Sequence, residues 1–173
     1  MKCIYKLVFI FFFLNFNLLK ANELMSYVDM DLLMNSSEAA KSITSQLTAI
    51  HKKSTTELKK IEEELKKEES DLIKQKNVIS NEEFEKKLSL LRNKASDYQK
   101  QRKKSNVSIN EKRMNATSEL VNLIQPILAE YANNNSISII FQKKNIIIGK
   151  TELDITEDVL KILNENHKKI VIN

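Results

Sequence analysis

Residues 57–75 read ELKKIEEELKKEESDLIKQ, and their spacing decides the fold. Leu58, Leu65 and Leu72 recur every seven residues, Ile79 continues the series, and Ile61 takes an intermediate position. That is the seam of a coiled coil. Glu68 and Gln75 occupy the next two intermediate positions, so the seam is only half apolar. Glu and Lys fill most of the remaining positions, as a solvated helical face requires. The whole chain of 173 residues holds one Gly and one Pro, Gly149 and Pro126, far too few for a turn-rich β fold.

Reading outward, Asn35-Ser-Ser-Glu38 offers a helix start with Asn35 as the cap. The helix then runs from Ser37 to about Asn77, which at 1.5 Å per residue is roughly 60 Å. A break follows at Lys76–Ser80, and Ser80 with Glu83 forms a second capping box. The stripe of the second helix is Phe84, Leu88, Leu91, Ala95 and Tyr98, then Arg102, Ser105, Ile109, Lys112 and Ala116. It continues into an apolar stretch, Leu120 to Ala132, where Pro126 is expected to kink the helix or to start a new one. Ile137–Phe141 and Ile146–Ile148 read as two strands joined by a hairpin turn at Gln142–Asn145, with Gly149 ending the second. Asp154 and Glu157 mark a last helix whose apolar face is Val159, Leu160 and Leu163. Lys169–Asn173 reads either as a frayed tail or as a last strand. Ahead of the first long helix lie a strand, Leu24–Val28, and one helical turn, Met30–Met34.

Neither end holds enough strands for a sheet, so the two ends must meet. The expected fold is mainly α with a small β body, into which a long antiparallel helical hairpin is inserted. Residues 22–36 and 115–173 form the body and residues 37–114 the arm. Tyr27, Val28, Met30, Leu33, Ile137, Ile139, Phe141 and Ile147 are expected to form the core of the body or of a junction between bodies of several copies.

The first residues read as a secretory signal. Lys2 and Lys6 precede a dense apolar run, Leu7–Leu19, and cleavage is expected after Ala21. An uncleaved anchor would need about 20 apolar residues, and this run is short and interrupted by Asn15 and Asn17. Removing the signal takes the formal net charge from +5 to +2. It also removes Cys3, the only cysteine, leaving no thiol for catalysis, metal binding or a disulfide.

Enzyme signatures are missing: there is no glycine-rich phosphate loop, HExxH or nucleophile elbow. No cofactor is expected. His51 and His167 read as solvated residues, and Asp29 and Asp31 as a helix cap and a surface charge. Charge does cluster on the second helix. Lys86, Lys87, Arg92, Lys94, Lys100, Arg102, Lys103, Lys104, Lys112 and Arg113 stand against Glu85, Asp97 and Glu111, a local excess of +7. Such a face would attract acidic clients, anionic lipid or lipopolysaccharide. It could equally be balanced by Glu62, Glu63, Glu64, Glu68 and Glu69 on the first helix. Nucleic acid has the same electrostatics, but export excludes it as a partner. Pairing the helices about a turn near Ile79 sets His51 and Ser54 against Arg102 and Ser105. This polar mid-arm segment lacks the apolar knobs that lock a coiled coil and is expected to flex.

Several short motifs, in order, resemble the Skp/OmpH family of periplasmic chaperones. They are Tyr27-Val-Asp-Met30, the charged hairpin, Gln125-Pro-Ile-Leu128, Ile137-Ser-Ile-Ile-Phe141 and, most specifically, Leu153-Asp-Ile-Thr-Glu-Asp-Val159. The resemblance spans essentially the whole mature chain. It implies a jellyfish-like homotrimer whose bodies join through their strands, with three arms around a central cavity. It also implies an ATP-independent holdase that keeps unfolded outer-membrane β-barrel proteins soluble in the periplasm. The residues alone leave open a structural coiled-coil spacer or scaffold of an envelope complex. The mature chain departs from the best-known members in being only mildly basic.

Overall fold

The computed structural model describes residues 24–172. The expected signal sequence, with its cleavage after Ala21, lies outside the described residues. In chain order the elements are β1 (Leu24–Val28), α1 (Met30–Ser36), α2 (Glu38–Gln75), α3 (Asn81–Asn134), β2 (Ile137–Gln142) and α4 (Thr156–Asn166). Short 3-10 turns at Lys143–Asn145 and Thr151–Leu153 separate β2 from α4.

The ends of the chain meet in a two-stranded sheet. β1 pairs with β2 in parallel, Met25 opposite Ile139 and Val28 opposite Gln142. Parallel strands need a crossover, and here the crossover is the whole of α1, α2 and α3. The main core lies where these elements converge: Val28, Leu33, Ala39, Ala40, Ile43 and Leu47 pack with Ala116, Leu120, Ile124, Ile127, Val159, Leu163 and Ile170.

Local chemistry fixes the helix boundaries. Asp29 caps α1 by accepting from Leu32 N–H at 2.9 Å. α2 is capped not by Asn35 but by Ser37, whose extended backbone lets its Oγ accept from Ala40 N–H at 3.2 Å. Asn35 is still inside α1, donating to the Asp31 carbonyl at 2.7 Å, because α1 runs two residues further than one turn. Ser80 caps α3 as expected, accepting from Glu83 N–H at 3.2 Å. α3 then continues unbroken through Pro126 and starts no new helix there. Pro126 lies on the exposed side of α3, where solvent can serve the carbonyl it leaves unbonded. α3 ends where Asn135 turns its side-chain amide onto the Tyr131 carbonyl at 2.8 Å and Ser136 adopts a positive φ of 55°.

The expected β hairpin after residue 137 does not form. Gln142 leads into the 3-10 turn, closed by Ile146 N–H on the Lys143 carbonyl at 3.0 Å, and residues 146–148 are not a strand. None of Gln142–Asn145 is a glycine to supply the positive φ of a tight hairpin turn. Instead the chain passes over the Tyr27 ring. A Cβ built on Gly149 would stand 2.8 Å from Tyr27 Cε1, and Tyr27 Oη donates to the Lys150 carbonyl at 3.1 Å. Gly149 therefore serves close approach, not strand termination. The cap of α4 is also displaced: the cap position is Ile155, and Asp154 accepts from Thr156 N–H at 3.0 Å one residue earlier. The segment after α4 forms no strand, yet it is not frayed, since Ile170 is buried.

Candidate functional site

The arm is built by α2 and α3 running antiparallel. Four side-chain pairs fix their register. The Ser54 and Ser105 hydroxyls hydrogen-bond to each other, and Tyr98 Oη donates to Glu62 Oε2 at 3.2 Å. Nearer the tip, Lys94 Nζ donates to Glu68 Oε1 at 2.6 Å and Lys87 Nζ to Gln75 Oε1 at 3.0 Å. The two polar seam positions, Glu68 and Gln75, are thus filled by lysines reaching across from α3. The Lys66 hydrogen bond, then the one from Tyr98, holds Glu62 below the usual carboxylate range, and Glu62 in turn raises Lys66.

Little of the arm is buried. On α2 no residue between Leu47 and Leu72 is buried, and on α3 none is buried before Ile109. Leu58, Ile61, Leu65, Leu88, Leu91 and Tyr98 are half-buried. Open grooves flank the seam: one is lined by Leu65, Leu88, Leu91, Tyr98 and Arg102, another by Leu72, Leu90, Leu91 and Lys94. Val78 at the tip is 82% exposed.

The ten basic residues singled out on α3 fall into three groups. Lys87, Lys94 and Lys100 are engaged, with Glu83 at 3.2 Å, Glu68 at 2.6 Å and Asp97 at 3.0 Å respectively. Lys86 and Arg92 lie in the tip half, where ten acids face eight cations between residues 61 and 99. Arg102, Lys103, Lys104, Lys112 and Arg113 lie at mid-arm. The register sets residues 100–113 against residues 47–60, and there four lysines of α2 join them: Lys52, Lys53, Lys59 and Lys60. The two facing segments hold ten Lys and Arg residues against only Glu57 and Glu111. All ten except Lys112 are exposed. Counting along α3 alone misses four of the ten; pairing the two helices in register finds them. The glutamates from Glu62 to Glu69 balance the tip half and leave mid-arm cationic.

Among the residues expected at mid-arm to flex, Ser54 and Ser105 touch. His51 is exposed and hydrogen-bonds through Nδ1 to Thr55 Oγ1 at 3.1 Å, and Arg102 lines the groove next to Tyr98. Of the expected body core, Tyr27, Val28, Leu33 and Ile137 are buried and Met30 packs against them. Ile139, Phe141 and Ile147 are not part of this chain's own core; Ile147 is 98% exposed. With Leu24, Met25 and Ile148 they make an apolar surface around the small sheet. Among the described residues no group of three or more His, Cys, Asp or Glu side chains could hold a metal ion. No described helix is long and apolar enough to cross a membrane.

The family model described as Outer membrane protein (OmpH-like) matches residues 25–163. The fold is also similar to a solved structure from Caulobacter crescentus CB15, provisionally described as an outer membrane chaperone (OmpH-like). The TM-score is 0.83 with 86% of this chain and 88% of that chain covered, at 17% sequence identity. At that identity the likeness is one of fold. No curated protein sequence matches this chain.

Proposed function

Because the chain belongs to the OmpH-like outer membrane protein family, we propose that it is an ATP-independent holdase for unfolded outer-membrane β-barrel proteins in the periplasm. The observation that carries this reading is the arm. Two helices extend from a small core with no buried residue between Leu47 and Leu72 on α2. Burial there contributes little to stability, so the arm serves as surface, not as scaffold for its own core. Its half-buried leucines and mid-arm cations offer many weak contacts. Such contacts hold an unordered client through multivalency, without the cost of folding it. The cationic band suits acidic client segments, and the same charge would draw anionic lipid or lipopolysaccharide.

The body suits a homotrimer. Parallel sheets are normally covered on both faces, and this one has two strands, an outer edge on β2 that no described strand pairs, and the exposed side chains of Met25, Ile139 and Phe141. Joining three such sheets edge to edge would pair the strands and cover those residues. The arms of three copies would then stand around one space.

The test is light scattering after an unfolded porin-type protein is diluted from denaturant. At stoichiometric ratios the mature protein should suppress aggregation, equally with and without ATP. Undiminished aggregation, with fixed envelope partners co-purifying instead, would turn the assignment to a structural spacer.

A further inference from the structure

After α4 the chain lies extended along the base of the arm, where Gln46 of α2 holds it. Gln46 Nε2 donates to the Ile170 carbonyl at 2.6 Å, and Gln46 Oε1 accepts from Ile172 N–H at 3.1 Å. The same Nε2 donates to Ser42 Oγ at 3.0 Å, which fixes the orientation of the amide. Bonds to the carbonyl of one residue and the N–H two residues on are what a residue of a neighbouring parallel strand supplies. A side chain here stands in for one rung of a β ladder. Burial alternates to match: Ile170 is 2% exposed, Val171 is 60% exposed, and Ile172 packs partly buried against the main core. The seat therefore selects an extended backbone with apolar residues at alternate positions. It makes no demand on the residue between them.

We propose that this seat at the arm base is a recognition site for an extended client strand, and that residues 170–172 are its resting occupant. The inference rests on the holdase reading. A strand of an unfolded outer-membrane barrel alternates apolar and polar residues with a period of two, which is the pattern the seat accepts. The chain's own segment begins four residues past the end of α4, and a short tether gives an effective concentration in the mM range. A free strand competes poorly against that. A client already held along the arm competes on equal terms, because its strand is tethered as well. The seat thus discriminates for chains engaged elsewhere on the molecule.

The test follows the exchange of the Ile172 amide hydrogen in the full-length mature protein by NMR. Adding a peptide with alternating apolar residues, at mM concentration, should accelerate that exchange at least tenfold. A peptide of the same composition with its apolar residues adjacent should leave it unchanged. In Gln46→Leu the amide should already exchange fast and respond to neither peptide. A protein ending at Lys168 should bind the alternating peptide at least tenfold more tightly than the full chain does. If that shortened protein fails to fold, the exchange measurement decides alone. Unchanged Ile172 exchange with the alternating peptide, or equal acceleration by both, overturns the proposal. Aggregation suppression is measured on the same samples. Suppression without displacement removes only the seat, and displacement without suppression removes only the holdase reading.

Discussion

The hydroxyl of Thr156 accepts from the backbone N–H of Asp29 at 2.8 Å and donates to Asp154, whose Oδ2 holds Lys143 Nζ at 2.9 Å. Ile155 N–H adds a bond to the Tyr27 carbonyl at 3.0 Å. Two of the motifs that mark the family, Tyr27–Met30 and Leu153–Val159, are thereby one structural joint between the ends of the chain. Burial acts to raise the Asp154 pKa, but the hydrogen bonds from Lys143 and Thr156 outweigh it and hold the carboxyl below its usual range. A depressed carboxyl contributes stability above its unfolded value and loses it as pH falls through its folded value. Melting temperature should therefore hold steady above about pH 5 and fall below about pH 4. Asp154→Asn should start lower at neutral pH and show a flatter acid limb in the same thermal melts. Gly149→Ala drives a methyl into the Tyr27 ring, and overpacking of this kind costs about 1–3 kcal/mol. Urea unfolding at unchanged slope would read that loss.

Little of this was legible in the residues alone. Ser80 and Glu83 announce a helix start because a cap is local chemistry. Gly149 resembles an ordinary strand end until Tyr27, distant in sequence, is seen beneath it. Ile146–Ile148 carries a strand's composition, but β propensity depends on a partner strand, and the 3-10 turn at Lys143–Asn145 carries these residues over the Tyr27 ring, away from a hairpin partner. Gln46 reads as one more polar residue on a helix, since the segment it holds lies near the other end of the chain.

At the scale of the element, α2 and α3 show why a half-apolar seam still makes an arm. Glu68 and Gln75 weaken the heptad on paper, yet each receives a lysine from α3. The hairpin, its direction and its turn near Ile79 were readable from spacing alone. The cationic band was only partly visible, because four of its ten cations lie on α2. Burial contributes little at mid-arm, where Ser54 meets Ser105 across the seam and lysines stand on both helices. Ser54→Leu with Ser105→Leu should slow backbone amide exchange across residues 50–60 at least tenfold and narrow the range of client lengths held. Equal binding across a client length series would remove the role given to flexing. Replacing Lys52, Lys53, Lys59 and Lys60 with Gln should weaken binding of acidic clients several-fold at low salt and little at high salt, where charges are screened within about 10 Å or less. Affinity titrations at two ionic strengths check this.

Taken whole, the molecule is polarised. Residues 37–114 hold nineteen Lys and Arg against thirteen acids, while residues 22–36 and 115–173 hold six Lys against ten acids. The near-neutral total of residues 22–173 conceals a basic arm on an acidic body. In the proposed trimer the basic arms would repel one another and attract acidic chains placed between them, and the apolar surface around the sheet would offer the join at the other end. Mass measurement of the purified mature protein, alone and with an unfolded porin-type client, tests this most directly. The account predicts a trimer alone and, with client, a species heavier by one client chain at a fixed ratio. A monomer that gains no mass when the client is added would contradict it.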